Sequence, residues 1–264
     1  MADIHVRKLR FSFDDVPIDF SQSDEALAAT LPLLGLSLTM PYLEPYLIRT
    51  MKLAMKQIRD PELAEDAKRF SQQEGHHYRN HADFNLRIRA SFDAPTADAI
   101  RSIEQALEAD YQRFSREKTL RFNLAYAEGF EAMTCAGALA SAEHRTLDQV
   151  PGGEIWAWHM AEEIEHRTVA FQVYEHLVGS YAYRLLVGGF SQWHYGSYVQ
   201  RFARCMARSL GRKLARPGQP VHRTALRNYL RTWSPRYDPA KIPLPEGVGD
   251  LLARYTALAE SPLA

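Results

Sequence analysis

The chain has 264 residues, 46% hydrophobic and 24% charged, and its 32 Lys and Arg balance its 32 Asp and Glu. That length can bury a sizeable core, in one large domain or two small ones, and the charge balance excludes a globally basic nucleic-acid binder. The two cysteines, Cys135 and Cys205, lie far apart without metal-ligand spacing, so a reducing compartment is expected rather than a disulfide framework.

The opening residues, MADIHVRKLRFSFDDVP, hold no apolar run of the signal-peptide kind, and residues 1–22 read as an extended lead-in. Leu31–Met40 is apolar but about half the length a bilayer requires, and Pro32 and Gly35 interrupt it. A soluble, cytoplasmic protein is the expectation. Ser23 is a helix N-cap, with a short helix over Ala26–Leu34. Pro41 opens a second helix with Met40, Glu44, Leu47, Met51, Met55 and Ile58 on one face, and Pro45 sits in its first turn. Asp60 caps the next helix, which runs from Pro61 to about Arg89. Its inner stripe is Phe70, Glu74, His77, His81, Phe84 and Ile88.

After Phe92-Asp93-Ala94-Pro95 a helical region reaches about Glu143, with a break expected near Glu117–Thr119. Its second part aligns Leu120, Leu124, Ala127, Glu131, Thr134, Ala138 and Ser141. Pro151-Gly152-Gly153 turns the chain into a helix from about Glu154 to Val178, whose stripe is His159, Glu163, His166, Ala170 and Val173. An aromatic, cationic stretch from Tyr181 follows and ends at Ala215-Arg216-Pro217-Gly218. Helices near His222–Thr232 and Val248–Ala259 flank a Pro-rich loop. With no convincing strand and no repeat, the chain reads as all-α: a ferritin-like four-helix bundle with additional C-terminal helices. Its parts are a lead-in (1–22), a metal-binding helical bundle (23–180) and a basic aromatic helical extension packed on it (181–264).

Four helices contribute in order Glu44; Glu74 with His77; Glu131; and Glu163 with His166. One Glu from each of two helices and a Glu-x-x-His from each of the others is the inventory of ferritin-like dinuclear carboxylate proteins. Four carboxylates neutralise two divalent ions, and one imidazole per ion favours iron over harder ions. Spacing supports a common level. Glu44 lies 16 residues before Asp60, and Glu74 and His77 lie 14 and 17 after it. With the second turn near residue 149, Glu131 lies 18 before it, and Glu163 and His166 lie 14 and 17 after it. Glu128 competes with Glu131 but lies off the stripe, and Glu162 competes with Glu163 in the same way. His81 and His159, one turn from the ligand pairs, are candidates for extra ligands, second-layer partners or proton shuttles. With Glu162 they form the expected catalytic group.

The stretches MPYLEPYLIRT, FSQQEGHHYRNHADFN, FEAMT and WHMAEEIEHRTVAFQVYEH resemble a bacterial family described as predicted metal-dependent hydrolases. The resemblance covers roughly residues 30–180. It places the family's acidic and histidine positions on Glu44, Glu74, His77, His81, Glu131, His159, Glu162, Glu163 and His166. A His often follows the third-helix Glu in that family; here the position is Ala132.

Carboxylate-rich ligation favours a di-iron centre that activates O₂ to oxidise a small or apolar organic substrate. The alternatives are a metal-dependent hydrolase using zinc or manganese and a metal-activated water, kept open by His81 and His159, and a non-enzymatic iron-binding protein. From His176 to Tyr237 there is no Asp or Glu against eleven Arg and Lys. Arg201, Arg204, Arg208 and Arg212 form one basic stripe behind Trp193, Tyr195, Tyr198 and Phe202. Segment 184–236 would suit a peripheral membrane contact, although packing on the bundle with arginines paired to its acids is the favoured reading. A homodimer and no nucleic-acid partner complete the expectations.

Overall fold

The computed structural model describes residues 4–146, 150–214 and 220–261. These residues fold as helices α1 Asp24–Met55, α2 Pro61–Ala90, α3 Ala94–Glu117, α4 Leu120–Glu143, α5 Gly153–Glu165, α6 Val169–Leu177, α7 Tyr181–Ser209, α8 Pro220–Arg231 and α9 Val248–Ala259. A 3₁₀ turn covers Pro239–Lys241, and no strand occurs among the described residues. The expected second turn near residue 149 and the end of the basic stretch at 215–218 lie outside the described residues.

Local signals set most of these boundaries. Ser23, Asp60, Asp93 and Thr119 adopt extended backbone and accept N–H donors of the first turns of α1, α2, α3 and α4. The long helical region does break at Lys118-Thr119.

Two expectations fail. The short helix and the Pro41 helix are one element, α1, with Pro32, Pro41 and Pro45 inside it. A proline removes one rung and frees the carbonyl four residues back, but tertiary packing against α2, α3 and α7 holds the helix together. For Pro41 the freed carbonyl is that of Ser37, and Asn85 Nδ2 of α2 donates to it at 3.0 Å. By length and composition α1 is suited to crossing a membrane, yet its apolar window is 56% buried inside the protein and it carries the buried Glu44, as in the core helix of a soluble protein.

The second failure is at the other end of the bundle. The helix expected over Glu154–Val178 is split into α5 and α6, with His166 as the C-cap of α5. Arg167 caps the break by donating from Nη1 to the Ile164 carbonyl at 2.7 Å and from Nε to the Pro239 carbonyl. Ala170 and Val173 still face inward.

Helices α1, α2, α4 and α5–α6 surround a common interior, and α7 lies across α1 and α4. Glycine permits that approach: a Cβ on Gly129 of α4 would lie 2.4 Å from the Gly188 Cα of α7, and one on Gly35 would lie 2.9 Å from the Val199 carbonyl. The lead-in has no regular structure but is anchored along α2. Asn80 Nδ2 donates to the Leu9 carbonyl, Arg87 Nε donates to the Val16 carbonyl, and Phe13 packs on Phe84. The basic residues on and just after α7 are divided. Arg184 is buried with its Nη1 3.0 Å from Glu128 Oε1, Arg212 pairs with Asp24, and Arg201, Arg204 and Arg208 are exposed.

Candidate metal centre

The heptad stripes of α2 and α5 and the single acids of α1 and α4 meet at one level inside the bundle. Glu44, Glu74, His77, Glu131, Glu163 and His166 are each at most 4% exposed, as are His159, His81 and Glu162. Two sets of ligand atoms converge, each set within 4.8 Å: Glu44, His77 and His159 in one, and Glu74, Glu131, Glu163 and His166 in the other.

Two glutamates span both sets. Glu163 Oε1 is 2.8 Å from His159 Nε2, and its Oε2 is 3.1 Å from His166 Nε2. Glu74 Oε2 is 3.5 Å from His77 Nδ1, and its Oε1 is 3.4 Å from His166 Nε2. The other two acids serve one set each: Glu44 Oε1 is 3.7 Å from His159 Nε2, and Glu131 Oε2 is 3.4 Å from His166 Nε2.

Like charges in a dry interior perturb one another. Burial, then the charges of neighbouring glutamates, pushes Glu44 and Glu131 well above the usual carboxylate range. Burial and Glu163 push Glu74 up to about 8. Burial works against ionisation of Glu163 too, but the charge of His166 beside it holds it well below its ordinary value. His166 is correspondingly raised, against its burial, by Glu163 and Glu131.

The hydrogen-bond pattern tests whether metal ions fit. Both oxygens of Glu44 and of Glu74, Oε1 of Glu131 and Nδ1 of His77 are buried without a hydrogen-bond partner. Unpaired buried acceptors facing one another cost free energy that a shared cation removes. Far-side partners turn one ring nitrogen of each of two imidazoles toward the acids. Arg7 forks onto Glu165 through Nη1 and Nη2, both at 2.9 Å, and reaches Glu162 Oε1 at 3.0 Å. Glu162, held by Arg7, then accepts His77 Nε2–H at 2.9 Å, which leaves the lone pair of Nδ1 aimed at Glu74. Gln73 Nε2 donates to Glu165 and to the His5 carbonyl, so its Oε1 accepts His166 Nδ1–H at 3.0 Å. Nε2 of His166 is thereby turned to the acids. Far-side partners of this kind orient metal-ligating histidines. The residues fit a pair of divalent ions.

Packing shields the cluster. Trp158 lies edge-on to His77 with ring centroids 4.8 Å apart, Phe70 lies edge-on to His166 at 4.7 Å, and His159 stacks on His77 at 4.1 Å.

The structure places the competing residues outside the cluster. Glu128 pairs with Arg184 and is pushed by burial to about 7, without a contact to the four acids. Glu162 lies between Arg7 and His77. His81 sits one imidazole behind His159, its Nδ1 2.8 Å from Ser37 Oγ and its Nε2 2.8 Å from His159 Nδ1, so neither nitrogen faces the carboxylates. His159 faces them directly. Five contributors carried no sequence signal: Arg7, Ser37, Gln73, Asn85 and Glu165. Arg7 is 155 residues from Glu162, in a lead-in without regular structure, and no periodicity assigns it an inward face. Gln73 precedes Glu74, and only the three-dimensional site gives it a histidine partner.

No curated protein and no solved structure matches the chain. A family model described as "Predicted metal-dependent hydrolase" matches residues 5–242, from the Arg7 lead-in to beyond α8, and the chain belongs to that family.

Proposed function

We propose that the protein is a dinuclear metal-dependent hydrolase with its centre between α1, α2, α4 and α5. The observation that carries this reading is the set of buried, unpartnered carboxylate oxygens converging with inward-turned imidazole nitrogens. Two divalent ions there, zinc or manganese in a hydrolytic site, would polarise a substrate oxygen and supply an activated water. Glu44, Glu74, His77, Glu131, Glu163 and His166 would hold them.

The family's description supports hydrolysis over oxidation. So does a third inward-facing imidazole, His159, beyond the two of the ferritin-like inventory. The chain's own residues exclude bulk water through Trp158 and Phe70, and they hold a proton at His77 Nε2 through the Arg7-fixed Glu162. One cleft borders the helix that carries Glu131, and a small substrate would approach from there. It has a volume of about 290 Å³ and is lined by Ala132, Cys135, Ala136 and Leu139 of α4, with Arg231 and Tyr237 opposite. Ala132 directly follows Glu131, and Cys135 follows it by one turn.

The test is turnover of ester, amide and phosphate substrates by chelator-stripped protein reloaded with zinc or manganese. Metal-restored hydrolysis that disappears in Glu131→Ala is expected. Two bound metals with no hydrolysis across all three substrate classes would sink the reading. Oxidation by a di-iron centre is the second reading, supported by the four carboxylates. Its signature is oxygen uptake coupled to substrate oxidation when anaerobic, iron-loaded protein meets O₂. Uptake coupled to iron alone would favour iron handling.

A further inference from the structure

The two halves of the centre differ at one residue. The shared acids Glu74 and Glu163 give one oxygen to each side, Glu44 and Glu131 occupy corresponding places, and so do His77 and His166. His159 has no counterpart: its Nε2 faces Glu163 and Glu44, in the set that also holds His77. We propose that the centre has two unlike metal positions: a two-imidazole position built on Glu44, His77 and His159, and a carboxylate-dominated one built on Glu131 and His166. This rests on the metal-dependent reading above.

What makes His159 a ligand rather than a hydrogen-bond donor is a chain of contacts that starts at a proline. Pro41 cannot bond the Ser37 carbonyl, so Asn85 Nδ2 fills it. That fixes the Asn85 amide and turns its Oδ1 to Ser37 Oγ at 2.7 Å. An amide oxygen donates nothing, so the single hydroxyl hydrogen of Ser37 is committed to it. Ser37 Oγ can then only accept from His81, which places the His81 proton on Nδ1. A singly protonated His81 then carries nothing on Nε2, 2.8 Å from His159 Nδ1. His81 Nε2 is therefore bare and accepts His159 Nδ1–H. The proton of His159 is thus on its far side, and a bare Nε2 points at carboxylate oxygens 2.8 and 3.7 Å away. Two acceptors facing each other in a dry site need a cation between them. Ser37, His81 and Asn85 are positioning residues for that arrangement.

Imidazole-rich positions suit zinc and carboxylate-rich ones suit manganese. The Glu44–His77–His159 position should bind zinc first, and the Glu131–His166 position should bind it more weakly and accept manganese. The experiment is calorimetric titration of chelator-stripped full-length protein with Zn²⁺, alongside elemental analysis after loading with equimolar Zn²⁺ and Mn²⁺. Two unequal zinc steps and one ion of each kind per chain are expected. Repulsion between ions could also separate the steps, so the variants decide. His159→Gln should weaken the first step while sparing the second, and Glu131→Ala should do the reverse. Ser37→Ala, which leaves His81 and His159 in place, should weaken the first step by about 10–100-fold and move the His159 proton off Nδ1 in ¹⁵N spectra of the metal-free protein. Two equal steps in wild type, His159→Gln that leaves the first step intact, or a wild-type His159 protonated on Nε2 in its neutral form would overturn the inference while leaving a metalloenzyme. Less than one zinc per chain in wild type would remove the underlying reading as well.

Discussion

Stripping the metals should make the protein less stable as pH rises from 6 to 8, the reverse of ordinary carboxylate behaviour. Burial and Glu163 push Glu74 up to about 8 from an ordinary value of 4.5. A carboxyl raised on folding keeps its proton in the native state while the unfolded chain releases it. Its contribution to stability is full below the unfolded value and is lost as pH climbs toward the folded one. Between pH 6 and pH 8 the native state holds close to one extra proton at this residue, so the free energy of unfolding falls by about 2–3 kcal/mol. In a chain of this size each kcal/mol moves Tm by roughly 2–4 °C, giving a drop of about 5–10 °C. Glu44 and Glu131 are raised as well and push in the same direction. The assay is thermal unfolding of chelated protein at the two pH values beside Glu74→Gln, whose side chain mimics the neutral acid. The variant should show a shallower pH slope. Zinc- or manganese-loaded wild type should gain stability with pH, because the ions displace these protons. A chelated wild type whose Tm is flat or rising, with the same slope in Glu74→Gln, would refute the argument.

Other outcomes follow from the same contacts. Glu131→Ala should lose at least one metal per chain by elemental analysis. Glu128→Ala should keep both metals but unfold more easily by about 3–5 kcal/mol, because it leaves the buried Arg184 without its partner; equal metal loss in the two variants would assign the α4 ligand wrongly. Arg7→Met leaves the buried Glu162 and Glu165 without their guanidinium, so it should destabilise by a similar ~3–5 kcal/mol and reduce metal affinity about 10–100-fold, read by denaturant unfolding and by titration. Gly129→Ala puts a methyl 2.4 Å from the Gly188 Cα and must push α4 and α7 apart. A loss of about 1–3 kcal/mol or more is expected, and a neutral result in denaturant unfolding would mean the two helices separate at little cost.

The α2 stripe from Phe70 to Ile88 shows why this site was largely legible before any fold was known. Inward-facing acids and histidines are expensive, and at heptad spacing they announce a buried polar centre. Equal distances from the Asp60 turn then placed Glu44 beside Glu74 and His77. The same logic preferred Glu131 to Glu128, one helical turn away, as the α4 candidate. It failed where tertiary packing outweighs local preference. Three prolines in α1 spell a boundary to any local reading, but Asn85 satisfies the carbonyl that Pro41 releases, and the surrounding helices hold the rest. At His166 the helix ends without a proline or glycine, because Arg167 reaches the Ile164 and Pro239 carbonyls.

The sequence by itself determined the all-helical architecture, most helix boundaries and the residues that form the acidic and imidazole faces, because helical periodicity and capping are local properties. Tertiary structure alone decided which atoms of those residues face one another. It set Glu163 and Glu74 between two ligand groups, moved His81 behind His159, and brought Arg7 across 155 residues to fix Glu162. The direction of each hydrogen bond is a property of partners distant in the chain, so the role proposed for His159 could be read only after Pro41, Ser37, Asn85 and His81 were seen in contact.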